Sequence, residues 1–165
     1  KKKKGARSSI EALLKRANQG RHFDPIDPMV DIYNSVSMTY GVPIGMEDRD
    51  HIQGDMHLGQ VDGGQAFQPV GADEDEPTLP GEVCYYDEKG AICRCLNWRD
   101  GQRTMLTPDS KNVVAVIESV NADQAKRADE AMEQLRKLII KYFDVQPSQV
   151  FHLTHDNPDA VVPED

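Results

Sequence analysis

The sequence predicts an α+β domain in which mixed or antiparallel β-sheets form a layered, sandwich-like core flanked by about three helices. Three observations lead to this prediction. Two apolar runs surround a turn at residues 87–90, which is typical of a β-hairpin. Residues 112–120 form a nearly continuous apolar strand, and residues 122–143 repeat apolar side chains at helical spacing. The 165 residues are enough for one domain with a buried core.

Two helices are predicted before the first strand. The first begins at Ser8 or Ser9, which can cap it, and ends at Gly20. The second has stronger boundaries, because Asp27 is a favourable N-cap and Gly41 is a favourable stop. Each carries apolar residues along one side, so both should pack against the sheets.

The central hairpin determines which side chains share a face. A four-residue loop would place Glu82 opposite Cys95 and Cys84 opposite Cys93. One face would then carry Glu82, Cys84, Cys93, Cys95, Asn97 and Arg99. The other would carry Val83, Tyr85, Ile92 and Arg94. The first face puts a carboxylate, an amide and a guanidinium beside the single tryptophan, Trp98, which describes either a small binding site or solvated charge.

The remaining strands are predicted from shorter patterns. Residues 55–70 read as a second hairpin turning at residues 62–65. The apolar run at 112–120 predicts a central strand that is covered on both faces. Residues 150–153 read as an edge strand. Residues 157–165 are polar and are predicted to be a disordered tail that follows a single domain over residues 1–156.

The charge is unevenly distributed. The net charge is −9, but residues 1–22 hold eight Lys or Arg and one acidic residue, a charge of +7, so the rest carries −16. An acidic body is not typical of a general nucleic-acid binder, and DNA is not an expected partner. The basic end is either a solvated tail or a local phosphate contact. No apolar run approaches the roughly 20 residues of a membrane span, so no membrane partner is expected.

The cysteines and histidines bear on location and cofactors. Three cysteines within twelve residues form no disulfide framework, which favours a reducing compartment and a cytoplasmic location. Their spacing does not fit a zinc site. A metal-dependent hydrolase using His51, His57 and nearby acids is an alternative, but no known ligand spacing supports it, and neither a metal nor another cofactor is expected.

Four phrases, in order along the chain, resemble one known family. They are SSIEALLKR, DPMVDIYNSVSMTYGVPIGMED, PGEVCYYDEKGAICRCLNWRDGQRTMLT and NVVAVIESV. Together they resemble the B3/B4 editing domain of the phenylalanyl-tRNA synthetase beta subunit, and in particular the free-standing proteins built from that domain. The resemblance covers residues 8–143. The opening lysines match the middle of such a domain, which implies that a first strand region is absent here.

The resemblance implies a trans-editing hydrolase. Its substrate and partner would be a mischarged tRNA, and the bond cut would be the ester between the 3′ end and a non-cognate amino acid. In the family, the synthetase-attached domain removes tyrosine from phenylalanine tRNA, and free-standing relatives act on other errors, including canavanine on arginine tRNA. We expect a monomer. The alternative is a non-catalytic module that binds an amino acid or a tRNA end.

The same resemblance suggests site residues. Asn34 matches the family's asparagine, and Glu82 is the nearest match to its tyrosine-sensing glutamate. Gly45 stands where the synthetase phrase GQPLHAFD has a histidine, so recognition of tyrosine by the same contacts is not expected. The predicted catalytic residues are Asn34, Asp48 and Glu82. The predicted substrate-binding residues are Ser35, Gly45, Glu47, Asn97, Trp98 and Arg99.

These residue types suit ester hydrolysis. An activated ester needs a positioned water and a donor for the developing negative charge. A carboxylate can orient the α-ammonium group or accept a proton, and Asn34 and Ser35 can donate to the carbonyl. Arg99 can hold a phosphate or the oxyanion, and Trp98 can stack on the terminal adenine. The tRNA's terminal ribose hydroxyl is an alternative to a side-chain base. We expect these groups around a cavity between the helix of Asn34 and the strand of Glu82.

Overall fold

Two antiparallel sheets and three helices form the computed structural model, which describes residues 4–163. The order is α1 (Ser9–Asn18), α2 (Pro28–Tyr40), β1 (Ile44–Asp48), a 3-10 turn (Arg49–His51), β2 (His57–Val61), β3 (Glu82–Asp87), β4 (Gly90–Arg94), β5 (Arg99–Asp100), β6 (Val113–Ile117) and α3 (Ala122–Phe143). The first sheet pairs β1 with β6, and the second has the order β2-β3-β4-β5. The predicted α+β class with antiparallel sheets is confirmed.

Local sequence sets the helix ends. The Asp27 carboxylate accepts hydrogen bonds from the backbone N–H groups of Met29 and Val30, at 2.8 and 3.3 Å, and so caps α2. Gly41 ends that helix in the left-handed region with φ of 65°. Asn121 caps α3 by accepting from the Gln124 N–H at 2.8 Å. The three predicted helices are therefore confirmed.

The main core lies between α2, α3 and the first sheet. Its buried members are Val36, Val42, Ile44, Met46, Ala131, Leu135 and Ile139. They come from one face of each helix and from β1, as expected for amphipathic elements on a sheet. A second, smaller core in the four-stranded sheet contains Val61, Phe67, Cys84 and Ala91.

Two strand predictions are wrong. The apolar run that contains β6 is not central, because β6 pairs only with β1 in a two-stranded sheet. Helix packing on that sheet explains its hydrophobicity, since Ala115 and Ile117 contact the main core. The hairpin predicted at residues 55–70 does not form, because β2 pairs with β3, with Val61 opposite Glu82. The long polar loop after β2 is therefore an excursion between neighbouring strands.

The β3–β4 hairpin forms at its predicted turn, but its register changes after the first pairs. Asp87 lies opposite Gly90 and Tyr86 opposite Ala91, whereas the next pair is Tyr85 with Cys93. Ile92 is thus the extra residue of a β-bulge. The predicted pairing of Cys84 with Cys93 is wrong, and so is the predicted face, because one extra residue moves every following side chain to the other side.

The C-terminal part differs from prediction in one further respect. Residues 150–153 have no regular secondary structure, so the predicted edge strand is wrong. Part of the predicted disordered tail, residues 164–165, lies outside the described residues, as do the first three lysines. Within the described chain, no helix is both long enough and apolar enough to cross a membrane.

Candidate functional site

Glu118, the residue directly after β6, connects the two sheets. Its carboxylate accepts a hydrogen bond from the Tyr85 hydroxyl of β3 at 2.9 Å and another from the Asn97 side-chain amide at 3.3 Å. Burial raises the pKa of Glu118 to about 7, although both hydrogen bonds lower it. Glu118 is therefore an oriented carboxyl group that changes protonation state near neutral pH.

Two further carboxyl groups lie close to Glu118. Glu47, in β1, is buried and accepts a hydrogen bond from the Thr104 hydroxyl at 2.6 Å. Asp100, in β5, lies opposite Cys93 and hydrogen-bonds with its thiol. Asp100 is enclosed by neighbouring groups, yet its side chain reaches solvent. That combination is expected of a residue that lines a cleft.

The backbone leaves room beside these acids. Gly45 and Glu47 share one face of β1 because side chains alternate along a strand. A Cβ placed on Gly45 would meet no atom within 4 Å, so this face borders open space. We call the surrounding set the acidic pocket; its members are Tyr33, Gly45, Glu47, Tyr85, Cys93, Asp100 and Glu118.

Electrostatic coupling links the members of the acidic pocket. Burial and the nearby Asp100 carboxylate raise the pKa of Glu47 well above its usual value, with a smaller opposing effect of the Thr104 hydrogen bond. Burial likewise raises the pKa of Asp100. Burial, followed by the charges of Asp100 and Glu47, raises the pKa of Tyr33, so its hydroxyl stays neutral. Crowded acids with raised pKa values favour a bound cation, because a positive charge relieves their repulsion.

Comparison with known proteins agrees with this architecture. A profile of the B3/4 domain matches residues 1–144, which is most of the chain. The chain belongs to the B3/4 domain family. It is also similar to the phenylalanine–tRNA ligase beta subunit of Mycoplasma genitalium, with 30% identity over 104 residues. That alignment covers 62% of this chain but only 12% of the relative. The family resemblance read from the four sequence phrases is thus confirmed.

The acidic pocket contains only part of the site that the sequence predicts for this B3/4 domain. Glu47 and Gly45 belong to it, and Asn97 borders it through Glu118. Asn34 and Ser35 instead line a separate cavity of about 280 Å³ with Phe23 and other residues. The predicted cavity between Asn34 and the Glu82 strand is therefore replaced by two distinct features.

Asp48 has a structural environment. It lies next to Glu47 in β1 and so faces the opposite side of the strand. Its carboxylate accepts from the Ser110 hydroxyl at 2.5 Å and from the Asp50 N–H at 3.0 Å, and the His51 ring lies 3.2 Å away. These contacts fix the 3-10 turn after β1, so they argue against the catalytic role predicted for Asp48.

Glu82 is also engaged elsewhere. Its carboxylate accepts two hydrogen bonds from the Arg94 guanidinium, at 2.8 and 2.6 Å, and one from the Leu79 N–H at 3.0 Å. Glu82 and Arg94 are 0% and 1% exposed, so neither is open to a substrate. The bulge at Ile92 turns this pair away from Tyr85 and Cys93. The catalytic role predicted for Glu82 therefore has no support in this geometry.

Trp98 and Arg99 lie just outside the acidic pocket. The Arg99 guanidinium is 5.9 Å from the centre of the Trp98 ring and pairs with Glu76 at 3.3 Å. Trp98 lines a groove of about 410 Å³ with basic residues of the α1 region. Both predicted substrate-binding residues thus border a different surface, considered below.

The metal alternative finds no support among residues 4–163, where no group of three or more His, Cys, Asp or Glu side chains is arranged to hold a metal ion. The His57 ring stacks on Tyr86, with ring centres 5.3 Å apart. The His51 ring lies beside Asp48. Both predicted ligands therefore have other contacts.

Sequence reasoning missed four members of the acidic pocket: Tyr33, Tyr85, Cys93 and Asp100. Glu118 was also missed, although a carboxylate at the end of an apolar strand is an available signal for a site. Tyr33 lay on the predicted apolar side of α2, and its hydroxyl was a second signal. The bulge concealed Tyr85 and Cys93, because no residue type in the hairpin marks Ile92 as extra.

Proposed function

We propose that this B3/4 domain hydrolyses the ester bond of mischarged aminoacyl-tRNA, with the acidic pocket as the place where the aminoacyl group binds. The observation that carries the proposal is the convergence of Glu47, Asp100 and Glu118 on open space beside Gly45. Membership of the B3/4 family supports the choice of a tRNA-linked substrate. Every amino acid esterified to tRNA carries an α-ammonium group, which matches an acidic pocket.

The acids can divide the chemical roles between them. Asp100, which reaches solvent, is placed to hold the α-ammonium group. Glu118 accepts a proton from the attacking water, a role favoured by a pKa of about 7. Glu47 keeps its proton because its pKa is raised, and it donates a hydrogen bond to the ester carbonyl as negative charge develops there.

The proposed step balances without a cofactor. The water oxygen bonds to the carbonyl carbon while its proton moves to Glu118. The carbon–oxygen bond to the ribose then breaks, and the departing ribose oxygen takes the proton back from Glu118. The products are the free amino acid and uncharged tRNA, and no side chain becomes covalently modified.

Location and assembly follow from the proposed role. Cys84, Cys93 and Cys95 are all free thiols, which is consistent with a reducing compartment. We therefore propose a cytoplasmic location, where charged tRNA is used. A monomeric state stays a prediction.

A panel of tRNAs charged with cognate and non-cognate amino acids tests the proposal. Release of the amino acid is followed for the wild-type domain and for Glu118→Gln. Glu133→Gln, on the exposed face of α3, is the matched control. Loss of a general base should slow turnover by about 10²–10⁴-fold, whereas the control should be unchanged.

Two results would contradict the proposal. One is that no charged tRNA is hydrolysed faster than in buffer; binding without turnover would then indicate a non-catalytic module. The other is that Glu118→Gln retains full turnover, which would remove Glu118 from the chemistry.

A further inference from the structure

The groove beside Trp98 has a composition unlike the rest of this acidic protein. Its lining residues are Arg7, Ala12, Lys15, Arg16, Gln19, Arg21 and Trp98. Four of the seven are cationic and none is acidic. The chain outside residues 1–22 carries −16, so this groove is a concentrated positive surface on a repelling body.

Helix geometry explains how the groove forms. Ala12, Lys15, Arg16 and Gln19 are spaced three and four residues apart, so they share one face of α1. Ile10 lies on the other side and is buried. The apolar face of α1 thus holds the helix against the domain and directs its basic face toward solvent.

The basic side chains are available for a ligand. Within residues 4–163, Arg7, Lys15, Arg16 and Arg21 form no ion pair with a carboxylate. Arg16 donates to the His22 carbonyl at 2.9 Å and lies 4.8 Å from the centre of the Phe23 ring. These contacts orient its guanidinium without neutralising its charge.

The groove is joined to the acidic pocket through Asn97. The Ser9 N–H, at the start of α1, donates to the Asn97 carbonyl at 3.0 Å and to its side-chain oxygen at 3.2 Å. The Asn97 side-chain amide donates to Glu118 at 3.3 Å. Trp98 is the next residue and faces the groove. One two-residue segment therefore borders both an anion-binding and a cation-binding surface.

We infer that the groove binds the single-stranded 3′ end of the tRNA, with phosphates on the α1 cations and a base on Trp98. The inference rests on the proposed function, because the ester in the acidic pocket would be attached to that RNA end. An aminoacylated RNA end has an ammonium group on one side of its ester and phosphates on the other. The two adjacent surfaces match this distribution of charge.

The occupant is RNA rather than an acidic peptide because of the ring. Aromatic stacking on bases and cationic contacts with phosphates together characterise single-strand binding sites. Arg99 lies over the Trp98 ring at 5.9 Å from its centre and adds a further cation at this edge. A free acidic peptide is an outcome that the test distinguishes.

The test uses the full chain and a short fluorescent single-stranded RNA ending in CCA. The double variant Lys15→Glu with Arg21→Glu is compared with Lys126→Glu with Lys141→Glu, which makes the same charge change on exposed positions of α3. Affinity of the first variant for the RNA should fall about tenfold or more at about 0.1 M salt. Its salt dependence should decrease by roughly 0.7 in slope per lost contact. The control should change little.

Trp98→Ala should weaken RNA binding by roughly tenfold, while its salt slope stays as in the wild type, because a stacking contact releases no counterions. Binding of a poly-glutamate peptide equal to that of the RNA would overturn the RNA assignment. So would RNA affinity and salt slope unchanged in the α1 double variant. Thermal unfolding confirms that each variant is folded.

Failure of the groove and failure of the proposed function are separable. An aminoacyl-adenosine ester without phosphates should be hydrolysed equally by the wild type and the α1 double variant, whereas charged tRNA should not. If turnover of charged tRNA is unaffected by the double variant, the groove assignment is wrong and the hydrolase stands. If no ester is hydrolysed but RNA binding depends on the groove, the hydrolase is wrong and the groove stands.

Discussion

The hydroxyl of Tyr85 donates a 2.9 Å hydrogen bond to the carboxylate of Glu118, and this bond joins the four-stranded sheet to the end of β6. Burial and the charge of Glu118 raise the pKa of Tyr85, so the phenol stays a donor. Glu118 is thereby oriented from one sheet while its backbone belongs to the other. The acidic pocket exists only when both sheets are assembled.

Glu118→Gln should stabilise the domain in a pH-dependent manner. The pKa of Glu118 in the folded protein, about 7, exceeds its usual value of 4.5. The protonated form is therefore favoured by folding, and that stability is present below the unfolded pKa and lost as pH rises through about 7. Urea unfolding at about pH 8 should show the variant to be roughly 1–3 kcal/mol more stable than the wild type.

At about pH 5 the two proteins should differ little, because Glu118 is then mostly protonated in both states. A variant less stable than the wild type at high pH would show that the Glu118 carboxylate is stabilising and that its pKa is not raised. Glu133→Gln provides the baseline for an exposed acid.

Gly45→Val should separate stability from function. A Cβ at Gly45 would meet no atom within 4 Å, and valine is favourable in strands, so unfolding by urea should change by less than about 1 kcal/mol. The added methyl groups should occupy the acidic pocket and reduce kcat/KM for charged tRNA by roughly tenfold or more. Full activity in Gly45→Val would place the aminoacyl group elsewhere.

Arg94→Met should be strongly destabilising because it leaves the Glu82 carboxylate buried without a partner. Removing one member of a buried pair costs about 3–5 kcal/mol, whereas replacing both with apolar residues is often much milder. The double variant Glu82→Leu with Arg94→Met should therefore recover much of the loss in urea unfolding. A double variant as unstable as the single one would show that packing of Arg94, rather than its charge, dominates.

Acid should weaken the wild-type domain through the same pair. Burial raises the pKa of Glu82, but hydrogen bonds from Arg94 and Leu79 outweigh burial and lower it from 4.5 to about 2. The ionised carboxylate then adds stability that is present above the unfolded pKa and is lost as pH falls through the folded one. The Glu82→Leu, Arg94→Met variant should lose less stability than the wild type between those pH values in urea titrations.

Gly90→Ala should destabilise the hairpin. Gly90 has φ of 144°, and a Cβ there would lie 2.4 Å from the Ala66 carbonyl oxygen. Gly64→Ala is a suitable control, because Gly64 also has positive φ, at 81°, but no atom lies within 4 Å of its Cβ position. The control should lose about 1 kcal/mol in urea unfolding, and Gly90→Ala clearly more. Equal losses would show that Ala66 can move away.

Helices were predictable because their signals are local. Asp27 and Gly41 define the ends of α2 through contacts with residues one turn away. The hairpin turn at residues 87–90 was predictable for the same reason. Strand pairing beyond the turn was not, because whether β2 pairs with residues 66–70 or with β3 depends on contacts distant in sequence.

The candidate site was predictable only where the family phrases mark single positions. Gly45 and Glu47 lie in the GVPIGMED phrase and border the acidic pocket. Glu82 and Asp48 carry the right chemical group, but their carboxylates are satisfied by Arg94 and Ser110. A sequence shows which acids exist; only the assembled fold shows which of them keep an unused oxygen.

The extra residue at Ile92 has a consequence for comparing relatives. A homologue that lost one amino acid there would present Arg94, rather than Cys93, beside Tyr85, exchanging a thiol for a permanent cation at the cavity wall. Length changes in this hairpin should therefore occur in pairs, or else coincide with a different ligand preference. Gaps in an alignment at this point are thus informative about specificity.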